Sequence, residues 1–95
     1  YTTSKHAVLG LTRHMAMEEA DHGITVNAVC PGLIDTEMVQ QEVDDERLKR
    51  YTDAFPIHRL GQPAEAAELV AFLASDRAAY ITGQALDLSG GDLMV

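Results

Sequence analysis

The sequence predicts an α/β fold with a parallel sheet. Residues 24–30 are rich in β-branched side chains and almost wholly apolar, which is typical of a strand covered on both faces. Residues 84–88 form a second apolar strand. A helical pattern precedes each strand, over residues 1–21 and again from Pro63 onward. Strands that alternate with helices in this way indicate layered α/β architecture.

Length and composition narrow the class of protein. The chain has 95 residues, enough for at most one domain, and its 46% hydrophobic and 23% charged content is that of an ordinary globular protein. Fifteen acidic against seven basic residues give a net charge of -8, so we expect no nucleic-acid partner, because phosphates would be repelled. No apolar run approaches the roughly 18 residues of a membrane span, and no secretory signal is present.

Cysteine usage favours the cytoplasm. Cys30 is the only cysteine, so an internal disulfide is impossible. It lies inside an apolar segment, and we therefore expect a buried thiol in a cytoplasmic protein.

The first helix is predicted from an apolar stripe over residues 1–21. Val8, Leu11 and Met15 recur at helical spacing, with charged residues between them. Gly23 supplies the stop, since glycine readily adopts the left-handed conformation that follows a last helical turn.

The strand over residues 24–30 carries one polar exception and ends at a turn. Asn27 needs hydrogen-bond partners if it is buried, and we expect it to fix adjacent loops. Pro31-Gly32 ends the strand, because proline offers no ladder hydrogen and glycine permits a sharp turn.

Residues 35–60 are polar and only weakly periodic, which predicts one or two short helices joined by loops. Connections of this length are usually functional lids or disordered segments. The acidic residues 44–46 are either solvated surface or the cap and acidic first turn of a helix that ends near Arg50.

The helix that begins at Pro63 has the clearest pattern of the chain. Pro63 suits a first helical turn, and Glu65 and Glu68 complement the helix dipole. We expect the helix to end near residues 75–76. Its predicted buried face consists of Ala67, Val70, Ala71, Leu73 and Ala74.

Tyr1 and Lys5 form a candidate acid/base pair. Four positions apart on a helix, their side chains share one face. An ammonium group beside a phenol favours the phenolate and lowers a pKa that starts near 10. Such a tyrosine can exchange a proton with an alcohol or a carbonyl oxygen. Considered alone, the spacing is equally typical of an ordinary helix surface.

Four segments occur in an order that resembles one family. They are Tyr1-Thr-Thr-Ser-Lys5, residues 24–36, Leu60-Gly-Gln-Pro63 and residues 80–91. Together they look like the C-terminal portion of a classical short-chain dehydrogenase/reductase, and the resemblance covers residues 1–95. The last residues are most similar to the β-ketoacyl-carrier-protein reductase branch. The resemblance implies the C-terminal part of a doubly wound, Rossmann-type parallel sheet whose N-terminal dinucleotide-binding half is absent.

The resemblance also assigns roles to residues. Tyr1 would be the general acid/base and would also contact the cofactor, and Lys5 would lower the pKa of Tyr1 and bind the nicotinamide ribose. Pro31 and Gly32 would begin the segment that closes over the nicotinamide of NAD or NADP. The backbone of Ile34 would contact the nicotinamide carboxamide. The Thr36 hydroxyl would contact the carboxamide or a phosphate, with a helix cap as the alternative for this residue.

Residues 37–60 resemble the variable substrate loop of the family. Side chains in this loop either line a substrate pocket or serve only in packing; the candidates are Met38, Val39, Phe55 and His58. We expect no metal site, because the four histidines are irregularly spaced and lack a paired ligand motif. These are His6, His14, His22 and His58.

The implied activity is hydride transfer between a nicotinamide cofactor and a small-molecule carbonyl or secondary alcohol. Reduction of 3-oxoacyl thioesters leads, and sugar, polyol or other secondary-alcohol dehydrogenases are alternatives. A non-catalytic oligomerisation or binding module is the alternative from another class. Homodimers or homotetramers are expected in either case. The glycine-rich turn and the substrate-orienting serine of the family are not among these 95 residues, so we expect them alone to be inactive.

Overall fold

The first helix forms as predicted. The structure, a computed structural model, describes residues 2–92. Helix α1 spans Thr2–Glu19 and continues as a 3-10 turn over Ala20–His22. Gly23 follows with φ of 72° in the left-handed region, and its N–H donates to the Ala20 carbonyl. The glycine therefore ends the helix for the conformational reason expected from the sequence.

Two strands confirm the predicted α/β class. Strands β1 (Ala28–Pro31) and β2 (Ala85–Leu88) are hydrogen-bonded neighbours. The Ala28 N–H donates to the Gln84 carbonyl over 2.8 Å, and the Gly32 N–H donates to the Leu88 carbonyl over 2.8 Å. Both donors and acceptors advance in the same direction along the chain, so the pair is parallel.

Strand β1 begins later than the prediction of residue 24. Residues 24–27 are not part of the regular ladder of hydrogen bonds, because the N–H of Val26 bonds to a side chain and not to the backbone of a neighbouring strand. Its N–H donates to Thr82 Oγ1 over 3.0 Å, and its carbonyl accepts from the Gly83 N–H over 2.8 Å. Regular pairing starts only at Ala28. The strand residues are half-buried or exposed, so the expected cover on both faces is not provided by residues 2–92.

Asn27 fixes the segment that precedes β2, as expected. Its Nδ2 donates to the Ile81 carbonyl over 3.0 Å, and its Oδ1 accepts from the Gln84 N–H over 3.1 Å. Both ends of the amide are used. This side chain therefore replaces ladder bonds just before the regular sheet begins.

Pro31 is the last residue of β1. The N–H groups that face β2 belong to Ala28 and Gly32, so with a two-residue period the nitrogen of Pro31 faces the other side. The missing proline hydrogen consequently removes no bond from this ladder.

The segment over residues 35–60 contains two short helices, as predicted. Helix α2 spans Glu37–Glu42 and helix α3 spans Asp45–Ala54. Asp44 caps α3, since its Oδ1 accepts from the Arg47 N–H over 2.8 Å. Of the two interpretations of the acidic cluster, the cap with an acidic first turn is correct. The helix extends four residues beyond the predicted end at Arg50.

Helix α4 spans Pro63–Leu73, and a 3-10 turn follows over Asp76–Ala78. The helix begins at the predicted proline. The predicted buried face is wrong for this chain, because no residue of α4 is buried and Val70 is 52% exposed. A helix buries its apolar face only against another layer, and the two strands within residues 2–92 are too few to form a sheet that covers helices.

The chain divides into two compact units. The first comprises Tyr1–Val29 and Val70–Leu86, and the second comprises Cys30–Leu69 and Asp87–Val95. Few side chains are buried among the described residues: Thr12, Ala16 and Ala78 in the first unit and Phe55 in the second. No helix within residues 2–92 has the length and apolar character needed to cross a membrane.

Candidate functional site

The predicted cofactor segment, residues 31–36, follows the carboxyl end of β1, where open α/β sheets place their ligands. Gly32 lies against the end of β2 in the second unit. A Cβ atom on Gly32 would lie 3.0 Å from both Cα and Cβ of Ser89. The close approach of these two backbones explains the glycine, since any side chain would push the segment away from Ser89.

Ile34 forms a parallel bridge with Gly61. The Gly61 N–H donates to the Leu33 carbonyl over 3.1 Å, and the Asp35 N–H donates to the Gly61 carbonyl over 2.8 Å. In a parallel bridge, one residue bonds through its own N–H and C=O, and its partners are the two residues on either side of the opposite residue. Here Gly61 bonds Leu33 and Asp35, which flank Ile34. The N–H and C=O of Ile34 itself therefore face the opposite side of this extended segment, as one donor and one acceptor side by side.

Gly61 permits the bridge by its lack of a side chain. A Cβ atom there would lie 2.8 Å from Ile34 Cδ1. Because Cδ1 is the free end of a flexible side chain, a substitution at Gly61 would force this side chain to move, so the glycine in Leu60-Gly-Gln-Pro63 favours the bridge with Ile34.

Thr36 caps helix α2, which was the alternative to a cofactor contact. Its Oγ1 accepts from the Val39 N–H over 3.4 Å, and its carbonyl accepts from the Gln40 N–H over 3.0 Å. A threonine hydroxyl also has one hydrogen to donate. The cap is therefore compatible with a hydrogen bond from Thr36 to a ligand.

An ion pair organises the start of helix α4. Arg59 Nη1 and Nη2 donate to Glu65 Oε1 and Oε2 over 2.6 and 3.0 Å. Glu65 Oε1 also accepts from the Gln62 N–H over 3.0 Å, which is the carboxylate half of a capping box. These hydrogen bonds, from Arg59 first and Gln62 second, lower the pKa of the Glu65 carboxyl from 4.5 to about 2.

The lowered pKa of Glu65 predicts how stability depends on pH. The carboxylate stabilises the fold above the unfolded-state pKa near 4.5, and this contribution is lost as the pH falls through about 2. In the complete protein, wild type should exceed Glu65→Gln in unfolding free energy by a small, constant amount above about pH 5, since both partners of the ion pair are largely exposed, and by less as the pH falls. Urea unfolding of both proteins between about pH 6 and pH 3 measures this difference. A difference that increases toward low pH would contradict the assignment.

A small pocket lies in the second unit beside the bridge. Its volume is about 110 Å³. Ligand sites usually enclose about 300–1,000 Å³, so this pocket cannot hold a nicotinamide dinucleotide. It is lined by Leu33, Ile57, Arg59, Gly61, Glu65, Leu88, Ser89 and Gly90.

Comparison with known proteins assigns the chain to a family. The matching family model is described as Enoyl-(Acyl carrier protein) reductase, and the match covers residues 1–92. The chain belongs to the short-chain dehydrogenase/reductase family. The resemblance based on the four sequence segments is thereby confirmed.

Individual family members are similar over the whole chain. A 3-oxoacyl-(acyl-carrier-protein) reductase of Vibrio harveyi is 47% identical over 95 residues, which are 100% of this chain and 38% of that protein. An acetoacetyl-CoA reductase of Shinella zoogloeoides is 45% identical over 95 residues, 100% of this chain and 39% of that protein. The chain therefore spans less than half the length of these curated relatives.

A solved structure of a short-chain reductase has the same fold over this chain. The crystal structure of a 3-oxoacyl-(acyl-carrier protein) reductase from Brucella melitensis superposes with a TM-score of 0.93 at 40% identity. The match covers 100% of this chain and 35% of that structure. It confirms the predicted α/β, Rossmann-type fold class for a part of such a domain.

The acid/base pair expected from the family is only partly described. Tyr1 lies outside the described residues, so its role stays a prediction. Lys5 lies in the second turn of α1, in the first unit, and is half-buried. The cofactor segment of residues 31–36 lies in the second unit.

The loop residues proposed to line a substrate pocket differ in their surroundings. Phe55 is 6% exposed and is a packing residue, while Met38 is 63% exposed. Val39 is half-buried. The His58 side chain is exposed, and its Nδ1 lies 3.2 Å from the Thr52 carbonyl oxygen. None of the four lines the pocket beside the bridge.

Sequence reasoning missed the contribution of Arg59 and Gly61. It used Glu65 only as a complement to the helix dipole. A glutamate at the third helical position can also form the carboxylate half of a capping box, but Gln62 stands where that motif has serine or threonine, so the signal in the sequence was incomplete. No group of three potential metal ligands occurs within residues 2–92.

Proposed function

We propose that the complete protein containing this chain is an NAD(P)-dependent reductase of 3-oxoacyl thioesters, in the cytoplasm. The observation that carries the proposal is the bridge between Ile34 and Gly61, which turns the Ile34 N–H and C=O to the opposite side. A carboxamide presents one acceptor oxygen and one donor NH₂ group. The Ile34 backbone therefore fits the nicotinamide carboxamide as a complementary donor and acceptor pair.

The residues of this chain would then orient the ligand and handle a proton. Ile34 holds the carboxamide, and the Thr36 hydroxyl donates a hydrogen bond to the carboxamide or a phosphate. Lys5 binds the ribose hydroxyls and favours the phenolate of Tyr1. Tyr1 gives its proton to the carbonyl oxygen as the carbonyl carbon is reduced. The bound nicotinamide supplies the hydride.

The substrate class follows from the relatives, which are a 3-oxoacyl-(acyl-carrier-protein) reductase and an acetoacetyl-CoA reductase. Both names describe a ketone in a thioester. The loop over residues 37–60, with helices α2 and α3, is proposed to close over this substrate. A homodimer or homotetramer is proposed as the assembly, since Val8, Leu11 and Met15 on α1 are 53%, 57% and 40% exposed.

The proposal is tested by assaying the complete protein with NADPH and NADH, each with acetoacetyl-CoA, a ketose and a simple secondary ketone. Loss of reduced-nicotinamide absorbance gives kcat/KM. We expect acetoacetyl-CoA to be preferred by about a hundredfold or more. A preference for the ketose or ketone would reject the thioester assignment. If the complete protein showed no turnover and calorimetry detected no dinucleotide binding, the result would favour the non-catalytic module.

A further inference from the structure

The backbone on both sides of Gly61 is fixed by one pair of side chains. Arg59 Nη1 donates to the Leu60 carbonyl over 3.1 Å, just before the glycine. Glu65 Oε1 accepts from the Gln62 N–H over 3.0 Å, just after it. The two side chains are joined by a bidentate ion pair. They therefore act as one clamp across residues 60–62.

Fixing both neighbours sets the direction of the Gly61 peptide groups. The Leu60 carbonyl and the Gly61 N–H belong to one planar peptide unit, and the Gly61 carbonyl and the Gln62 N–H belong to the next. Orienting the Leu60 carbonyl and the Gln62 N–H consequently orients the two Gly61 groups that bond Leu33 and Asp35. Because these bonds define the bridge, the clamp also determines where the Ile34 backbone groups point.

We propose that Arg59 and Glu65 are positioning residues for the nicotinamide carboxamide and act on it through Gly61 and Ile34. The inference rests on the proposed function, because it assumes that Ile34 binds the carboxamide. Neither side chain needs to touch the cofactor.

Because Arg59 and Glu65 are largely exposed, a loss of dinucleotide affinity in their variants would not be explained by a large loss of stability. The side chains of Arg59 and Glu65 are 54% and 40% exposed. Ion pairs at such exposed sites contribute little to the free energy of unfolding. The forked geometry is nevertheless specific, since arginine presents two parallel donors to a carboxylate whereas lysine is a point charge. A lysine at position 59 should keep the charge and lose the clamp.

The test uses Glu65→Gln and Arg59→Lys in the complete protein, with calorimetric titration of NADPH and NADH. Each variant is also titrated with ADP-ribose and 2′-phospho-ADP-ribose, which lack the nicotinamide. We expect the dissociation constant for the preferred dinucleotide to rise about tenfold, as the loss of one or two hydrogen bonds implies. Affinity for the matching fragment should stay within about twofold.

Glu18→Gln is the matched control. It removes another exposed carboxylate that contacts a nitrogen donor group, since His14 Nε2 lies 3.0 Å from Glu18 Oε1. Affinity for both the dinucleotide and the fragment should be unchanged. In steady-state assays of Glu65→Gln, the KM for the dinucleotide should rise while kcat at saturating dinucleotide stays the same.

The outcomes distinguish this inference from the proposed function. If wild type binds the dinucleotide and both clamp variants bind it equally well, the positioning role is wrong while the proposed function stands. Equal loss of affinity for the fragment would mean that the pair supports the whole site, which also overturns the inference. Full affinity in Arg59→Lys would show that charge alone suffices, against the clamp. Failure of wild type to bind any dinucleotide would overturn the proposed function itself.

Discussion

Replacing Tyr1 with phenylalanine is expected to lower kcat of the complete protein by about 10²–10⁴-fold, the usual contribution of a positioned acid or base. The substitution removes one oxygen atom and the proton it carries, and the ring stays. Dinucleotide affinity should change little, because the proposed carboxamide contact belongs to Ile34 and the ribose contact to Lys5. Steady-state kinetics and calorimetric titration of the same preparation measure the two quantities.

Tyr80→Phe provides the control for the loss of a phenolic hydroxyl. The Tyr80 side chain is fully exposed, at 102% of its reference area, so removing its hydroxyl should leave kcat and dinucleotide affinity unchanged. If Tyr1→Phe kept kcat within about threefold of wild type, Tyr1 would not be the general acid/base. If it abolished dinucleotide binding, the residue would serve the cofactor site rather than proton transfer.

Three helix boundaries could be predicted because they are set locally, although the ends of α3 and α4 could not. Gly23 ends α1 through its own backbone conformation, and Asp44 begins α3 by accepting a bond from the N–H three residues later. Pro63 begins α4. Each signal lies within one helical turn of the boundary it determines, so the sequence contains all the information that is needed.

The candidate site could be predicted only in part, because its geometry depends on contacts between distant segments. The sequence identified residues 31–36, yet the bridge that orients Ile34 is made by Gly61, in another segment. Nothing local to Gly61 signals that a Cβ atom there would lie 2.8 Å from Ile34 Cδ1. The predicted start of β1 at residue 24 is wrong for the same reason, because the N–H of Val26 donates a hydrogen bond to the distant Thr82 Oγ1.

Burial was the least predictable property, because apolar periodicity marks the face that can be covered and does not identify the cover. Val70 belongs to the stripe predicted on α4 and is 52% exposed. On α1, Leu11 is 57% exposed, whereas the neighbouring Thr12 is 7% exposed and bonds the Val8 carbonyl over 2.7 Å. The pattern correctly identified helices, but most of the residues it expected in the interior are exposed in this chain, with Ala16 on α1 buried and Leu73 on α4 half-buried.

A polypeptide of residues 1–95 alone is expected to show no cooperative unfolding transition. A domain is stabilised by apolar burial, and chains of this length typically bury only about 60–65% of the surface they expose when unfolded. Here the buried apolar side chains among the described residues are Ala16, Phe55 and Ala78, two of them only methyl groups. Such a core cannot offset the roughly 1–2 kcal/mol of backbone entropy lost for each ordered residue.

The measurement is urea unfolding of this polypeptide followed by far-UV circular dichroism, beside the complete protein under identical conditions. The complete protein should unfold in a sharp transition, whereas residues 1–95 should lose signal gradually and bind an apolar dye, because helix faces and strand edges lie open. Ultracentrifugation decides whether any ordered species is a monomer. A sharp transition in a monomer of residues 1–95 would contradict this expectation. It would mean that the apolar stripes of α1 and α4 are buried within the segment itself, and that Leu11 and Val70 are not exposed in solution.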